Sequence, residues 1–190
     1  MAKNEDQFTD ELVERLNLHI RGCRIETRKS LLYDLSIDEH GVAKMAVDED
    51  SGDPIRGGGK GFQQDVLIYE NVQSGHTSVV PRVVAEVKFM SVNTHDPIIY
   101  SEKARRIRIV YPYIRYGLLL GGMPKIPGRV LRLGQTFDFI LSISYPFTES
   151  ELGLIRRLFA KEAQTSRKLS KISSGKHNVT CLWRAITIRS

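Results

Sequence analysis

A short apolar stretch in the middle of the chain, residues 83–89 (Val-Val-Ala-Glu-Val-Lys-Phe), carries two charged side chains. Five of its seven residues are apolar and three are valines, a composition typical of a buried β-strand. Because side chains alternate between the two faces of a strand, Glu86 and Lys88 point to the same side. Charges in a buried strand are costly unless something pairs with them. The stretch therefore predicts a polar site inside the core.

A second apolar strand is predicted at residues 64–69, just before the first, and it carries one acid, Asp65. The polar segment between the two strands, residues 71–78, has the composition of a hairpin loop. The two strands are therefore expected to pair in an antiparallel hairpin.

The register of this hairpin follows if its turn is centred at the Gly-His step of the loop. Asp65 then lies directly opposite Glu86, and Gln63 lies opposite Lys88, with Cβ atoms of opposed residues about 5 Å apart. A bulge at Pro81 would shift this register, because proline cannot donate a hydrogen bond to the ladder. Two carboxylates at such a distance repel each other, an arrangement that makes sense if a divalent cation lies between them.

Asp65 on one strand, followed by the triplet Glu-Val-Lys at 86–88 on the next, resembles the PD-(D/E)XK nuclease superfamily. This superfamily includes type II restriction endonucleases, resolvases and DNA-repair nucleases. The acid-X-lysine element is complete, whereas Gln64 stands where the family pattern has proline. The resemblance implies an α/β fold with a restriction-endonuclease-like αβββαβ core, in which helices flank a mixed central sheet.

The resemblance also implies an activity, namely Mg²⁺-dependent hydrolysis of phosphodiester bonds in DNA, with Mn²⁺ as a substitute metal. Asp65 and Glu86 would hold the metal, with the backbone carbonyl of Val87 as a third ligand. Lys88 would orient the attacking water and offset developing negative charge, and Gln63 would position either partner. Oxygen ligands and retained waters suit Mg²⁺.

The N-terminal segment has the apolar spacing of an amphipathic helix, with one stripe formed by Phe8, Leu12, Val13, Leu16 and Ile20. Family members often supply a further acid to the metal from this first helix. Glu11, on the flank of the stripe, is the candidate here, although a solvated helix flank is the favoured interpretation.

The other elements are predicted from turn and capping signals. Strands are expected at 31–37 and 42–47, followed by a glycine-rich loop at 48–61 that lacks the Ser or Thr of a phosphate-binding loop. Further along the chain we expect a helix capped by Asp96 and ending before Pro112, a parallel strand at 116–120, a loop at 121–134, a strand at 137–144, a helix opened by a capping box at Thr148, and a last strand at 179–188.

Basic residues are concentrated in two places. The helix after Asp96 carries Lys103, Arg105, Arg106 and Arg108, for which a solvated face is a somewhat better interpretation than DNA contact for each residue. Residues 156–190 contain nine Lys or Arg and one acid, for a net charge of +8, whereas residues 1–155 carry −2. Such a basic segment is typical of a surface that faces nucleic acid, although membranes and acidic proteins also attract it.

The length of 190 residues predicts one domain, 1–190, that ends in the basic segment 156–190. No apolar run approaches the roughly 18 residues needed to cross a membrane, and the polar N-terminus is unlike a signal peptide. We therefore expect a cytoplasmic protein with DNA as its partner and no membrane contact, and a homodimer stays open.

A competing hypothesis is a non-catalytic nucleic-acid-binding or assembly protein that keeps the fold. In such a protein Glu86 and Lys88 would form a structural ion pair. The sequence does not separate DNA from RNA, or endonuclease from exonuclease.

Overall fold

The computed structural model describes residues 3–17, 19–33, 36–37, 43–44, 61–74, 76–175 and 180. The elements in chain order are α1 (Glu5–Leu16), β1 (Arg24–Leu32), β2 (Ser36–Ile37), β3 (Ala43–Lys44), β4 (Gly61–Ser74), β5 (His76–Phe89), α2 (His95–Val110), β6 (Arg115–Gly121), α3 (Gly128–Leu133), β7 (Phe139–Ile143) and α4 (Glu149–Ser173). None of the helices in these ranges is long and apolar enough to span a bilayer.

Five strands form one sheet in the order β1-β4-β5-β6-β7, and β2 and β3 pair separately. The β1–β4 and β4–β5 pairs are antiparallel, whereas the β5–β6 and β6–β7 pairs are parallel. The parallel pairs require crossover connections, which contain α2 and α3. The predicted α/β class with a mixed sheet is therefore confirmed.

Helices cover both faces of this sheet, which explains why its central strands are apolar on both sides. On one face, Val66 and Ile68 of β4 pack in a cluster with Leu12 of α1 and Phe159 of α4. On the other face, neighbouring strand residues pack in a second cluster with Ile107 of α2. The polar side chains of β4 and β5 must therefore find partners inside a closed core.

The β4–β5 hairpin reaches the predicted register by a different route. Ser74 pairs with His76, so the turn is centred half a residue earlier than the Gly-His step. A bulge next to Pro81 then shifts the pairing, and Val66 pairs with Ala85 as the predicted register requires. The bulge compensates for the displaced turn.

Several predicted boundaries are wrong, for local reasons. Helix α2 begins at His95, because the Asn93 side chain accepts hydrogen bonds from the backbone N–H groups of His95 and Asp96. Strand β1 begins at Arg24, well before the predicted 31–37. The predicted loop at 121–134 contains α3.

Other boundaries are confirmed. The capping box at Thr148 opens α4, and α2 ends before Pro112. Among the described residues, the predicted pairing of 31–37 with 42–47 is present as the two-residue strands β2 and β3, although their bounds differ from the prediction. Residues 48–60 of the glycine-rich loop lie outside the described residues, as does the predicted last strand except residue 180.

Helix α1 is held against the sheet by a close aromatic contact that allows a stability test. A Cβ added to Gly121, at the end of β6, would overlap the ring of Phe8, which is fully buried and stacks on Phe89. We expect Gly121→Ala to lower the free energy of unfolding in urea by about 1–3 kcal/mol, because the ring must move.

The matched control for this variant is Gly153→Ala in α4. A Cβ there meets only the side chain of Arg157, at 3.5 Å. Alanine favours a helix over glycine by up to about 1 kcal/mol, so this variant should unfold at a higher urea concentration. An unchanged midpoint for Gly121→Ala would contradict the packing of α1.

Candidate active site

Asp65 lies at the point where β4 leaves β5. The last backbone pair of their ladder is Val66–Ala85, so Asp65 and Glu86 are not paired through the backbone. The Asp65 side chain bonds to the backbone of β5 instead, because its Oδ2 accepts a hydrogen bond from the Val87 N–H at 2.7 Å. The Asp65 and Glu86 carboxyl groups are close enough to hydrogen-bond to each other. The two acids are therefore adjacent as predicted, but through their side chains and not through a backbone pair.

The protonation of Asp65 reflects this crowding. Burial raises the pKa of Asp65 to about 7, and the neighbouring Glu86 carboxylate adds to the rise. The Val87 N–H and the Lys103 ammonium act in the opposite direction without cancelling it. A carboxyl group with this pKa is partly protonated at neutral pH, and an additional cation nearby would favour its ionised form.

Glu86 is buried, with 1% of its surface exposed, and it has two partners from other elements. Its Oε1 accepts a hydrogen bond from the hydroxyl of Tyr116 on β6, and it lies 2.6 Å from the Lys103 ammonium of α2. The Tyr116 hydroxyl is also 3.1 Å from Oε1 of Gln64, which is fully buried. Glu86 is therefore a paired and oriented buried charge.

Two sequence-based interpretations are wrong at this point. Lys103 does not lie on a solvated helix face, because only 14% of its side chain is exposed. The competing hypothesis required an ion pair between Glu86 and Lys88. The lysine that pairs with Glu86 is instead Lys103. Helical periodicity alone did not show this, because the side of α2 that meets the sheet depends on how the crossover packs.

Lys88 lies on the α2 side of the sheet, as Glu86 does, which confirms their predicted shared face. Its ammonium is 3.2 Å from Oε1 of Glu5 and 3.8 Å from Oδ1 of Asp96. Burial alone would lower the pKa of Lys88, but Tyr100 and Glu5 outweigh it and hold the pKa above its usual value. Lys88 is therefore a cation at neutral pH and not a general base.

The acid that α1 brings to this region is Glu5 and not Glu11. Glu5 bonds to Lys88 and also accepts a hydrogen bond from the Phe89 N–H at 3.4 Å. Glu11 pairs with Lys3 at a different part of α1. Glu5 opens the helix, before the apolar stripe begins, so the stripe did not indicate it. The sequence feature that could have indicated Glu5 is its position as an acid in the first turn of α1.

Gln63 does not face Lys88, so this predicted pairing is wrong. Gln63 lies beyond the end of the β4–β5 ladder, pairs with Ser30 of β1 and is exposed. Its backbone carbonyl accepts a hydrogen bond from Lys103 at 2.9 Å. Its neighbour Gln64 takes the buried position, because the alternation assumed for a continuous ladder fails where β4 separates from β5.

The donor set of this site is small. The described residues contain no group of three or more His, Cys, Asp or Glu side chains that could hold a metal ion. Asp65 and Glu86 supply carboxylate oxygens, the ligand type that Mg²⁺ prefers, and backbone and water oxygens would have to complete the coordination. The carbonyl of Val87 as a third ligand stays a prediction.

Within the predicted basic segment, α4 presents a row of exposed cations on the face away from the sheet. This basic stripe consists of Arg157, Lys161, Lys168 and Lys171. Arg167 is not part of it, because its Nε donates to Glu70 at 2.5 Å and its guanidinium also contacts Cys23. The stripe lies on the α4 side of the sheet, whereas Lys88 and Lys103 lie on the α2 side.

The chain was also compared with known proteins. No family model matches it, and no curated protein matches it significantly. The residues that can carry chemistry here are two adjoining carboxyl groups, Asp65 and Glu86, and the two lysines beside them, Lys88 and Lys103.

Proposed function

We propose that this protein is a Mg²⁺-dependent nuclease that hydrolyses phosphodiester bonds in DNA, with Mn²⁺ as a substitute metal. The observation that carries the proposal is the meeting of Asp65 and Glu86, with the pKa of Asp65 raised to about 7 and the Lys88 cation on the same side of the sheet. Buried carboxyl groups forced together in this way favour binding of a divalent cation.

The order of elements supports the finer fold assignment. The chain order is helix α1, then the antiparallel strands β1, β4 and β5, then the crossover helix α2 and the parallel strand β6, if the separate β2–β3 pair is left out. This is the αβββαβ order that the resemblance to the PD-(D/E)XK superfamily implies. We therefore propose a restriction-endonuclease-like core, to which α3, β7 and α4 are added.

In this proposal each residue of the site has its own role. Asp65 and Glu86 would hold Mg²⁺, together with the Val87 carbonyl. A bound Mg²⁺ lowers the pKa of a coordinated water and offsets negative charge on the phosphate. Glu5 keeps Lys88 in place as a cation, so that Lys88 can orient a water and stabilise charge that develops on the phosphate.

The experiment that tests this proposal is nicking of supercoiled plasmid by purified protein, with Mg²⁺ and with a chelator. We expect cleavage only with the metal, and the same assay on linear, branched and single-stranded DNA and on RNA would define the substrate. Absence of Mg²⁺-dependent cleavage on every substrate would contradict the proposal.

A second candidate function is non-catalytic nucleic-acid binding or assembly by the same fold. The observation in its favour is the Lys103–Glu86 contact of 2.6 Å, which compensates the buried Glu86 charge without a metal. This candidate predicts DNA binding without cleavage. It also predicts that Mg²⁺ leaves the melting temperature unchanged.

The basic stripe on α4 makes a separate prediction about DNA affinity. If DNA lies along it, replacing Lys161, Lys168 and Lys171 with Gln should flatten the slope of log K against log salt. Each lost phosphate contact should change the slope by about 0.9, because fewer counterions are released. Arg167→Gln is the matched control, since Arg167 already bonds to Glu70 and should not change the slope. A triple variant with the wild-type slope would place the DNA on another face.

A further inference from the structure

The cation that acts on both acids of the site is a lysine from α2. The Lys103 ammonium lies 2.6 Å from Oε1 of Glu86 and donates to the Gln63 carbonyl at 2.9 Å. It also acts on Asp65, whose pKa it lowers against the effects of burial and of Glu86. One partly buried ammonium therefore provides positive charge to both carboxyl groups.

Lys88 does not share this task, although it lies nearby. Its ammonium contacts Glu5 and Asp96, on the outer side of the site. The Tyr100 ring contacts both lysines, with its centre 5.6 Å from the Lys88 ammonium and 5.4 Å from that of Lys103. The two lysines thus have separate acids, and Lys103 belongs to the pair that would hold a metal.

We propose that the Lys103 ammonium is the resident counter-cation of the Asp65–Glu86 pair and competes with a divalent ion for Glu86; the role of that ion rests on the proposed function. Oε1 of Glu86 already accepts a hydrogen bond from Tyr116 and forms an ion pair with Lys103. A divalent ion bound to the same oxygen would repel an ammonium 2.6 Å away from that oxygen. Ion binding must therefore move Lys103.

The surroundings of Lys103 allow this movement. The lysine side chain is a flexible four-carbon stem, so its ammonium can swing while α2 stays in place. The Gln63 carbonyl is a second acceptor that does not belong to the metal ligands, and it can keep the ammonium once Glu86 is released. In this arrangement Lys103 keeps the site compensated before the ion arrives and weakens the binding of the ion.

The test is calorimetric titration of Mg²⁺, and separately of Mn²⁺, into the wild type and two neutral variants, Lys103→Met and Lys103→Gln. Both variants should bind each ion more tightly, by about tenfold or more, because the ion no longer displaces the ammonium of a close ion pair. Lys103→Gln can still bond to Glu86, which guards against misfolding of the methionine variant, and circular dichroism checks both. Adding Asp65→Asn to either variant should abolish the gain.

Arg105→Met is the matched control, because Arg105 is an exposed cation of the same helix whose ion-pair partner among the described residues is Glu102. It removes one positive charge without touching the site, so its affinity for both ions should stay within about twofold of the wild-type value. A gain equal to that of the Lys103 variants would show a general charge effect and overturn the inference.

The outcomes for Lys103 and for the nuclease can be told apart. If the Lys103 variants bind the ions no more tightly than a wild type that binds them and cleaves DNA, the inference is overturned and the nuclease stands. If the wild type neither binds nor cleaves, yet a Lys103 variant gains binding that depends on Asp65, the inference stands and the nuclease fails. If no protein binds either ion, both are overturned.

Discussion

Replacing Glu86 with Gln is expected to lower the rate of Mg²⁺-dependent plasmid nicking by about 10³-fold or more, because a neutral amide cannot replace a carboxylate that binds a divalent cation. The change keeps the size of the side chain and leaves an oxygen that can accept from Tyr116. Asp65→Asn should lower the nicking rate to a similar extent, because it also removes a carboxylate. Its amide oxygen can still accept a hydrogen bond from the Val87 N–H, so the local structure should be kept. Far-UV circular dichroism should stay at the wild-type spectrum in both variants.

Lys88→Ala should also remove most activity, by about 10²-fold or more, because the cation that stabilises charge on the phosphate is lost. The control for all three variants is Glu102→Gln, since Glu102 is an exposed acid of α2 that pairs with Arg105 and Arg106. Its nicking rate should equal that of the wild type. Full activity in Glu86→Gln, Asp65→Asn or Lys88→Ala would contradict the assignment of that residue.

In the presence of a chelator, the free energy of unfolding of the wild type should fall as pH rises from about 5.5 to about 8, a range in which acids of ordinary or lowered pKa stay ionised in both states. Asp65 is the reason, because its pKa is about 7 in the folded protein and near the ordinary 3.8 in the unfolded chain. Between these values the folded state binds more protons than the unfolded state, so raising the pH favours unfolding. Above about pH 8 both states have lost this proton and the effect levels off. The whole contribution of Asp65 is about 4 kcal/mol, because its two pKa values differ by about three units.

Asp65→Asn should remove this pH dependence and raise the free energy of unfolding at pH 8 without metal, because the repulsion by Glu86 disappears.

Glu151→Gln at the start of α4 is the control, because the stability that Glu151 provides has the opposite pH dependence. Burial alone would raise the pKa of Glu151, but hydrogen bonds from Ser144 and Thr148 lower it to about 2. The stability that Glu151 provides is therefore present above about pH 4 and is lost as pH falls toward 2. Urea unfolding across this pH range measures both slopes.

The groups around Asp65 support this sign. Glu86 is the acid that contacts it from β5, and Lys103 is the cation that partly offsets it from α2. Tyr116 and Tyr100 have pKa values raised by burial, and both stay neutral across the range. Lys88 stays charged across it, because its pKa is raised. A metal-free stability that rises between about pH 5.5 and about 7 would mean that Asp65 is not crowded in the way described.

The parts of the site that were predictable from sequence are those set by short-range geometry. The shared face of Glu86 and Lys88 follows from the two-residue period of one strand, and no other element can change it. The meeting of Asp65 with Glu86 follows from a hairpin of adjacent strands. Its register survived because the bulge beside Pro81 offset the displaced turn.

The parts that were not predictable depend on packing between elements far apart in sequence. Glu5 reaches Lys88 across 83 positions of the chain, and the Lys103–Glu86 contact depends on which face of α2 meets the sheet. Gln63 was misplaced for a different reason, since strand alternation was extended beyond the point where β4 leaves β5. A pattern in one element carries no information on the angle at which another element crosses it.

Thermal melting of the wild type and Asp65→Asn at pH 8, with Mg²⁺ and with chelator, tests most directly whether Asp65 and Glu86 form a metal site. The wild-type melting temperature should rise with Mg²⁺, by about 5–10 °C at a hundred times Kd, because the ion binds only the folded pair. Asp65→Asn should melt higher than the wild type without metal and gain almost nothing from Mg²⁺. A variant that melts lower without metal, yet gains as much from Mg²⁺ as the wild type, would show that Asp65 is not half of a metal site.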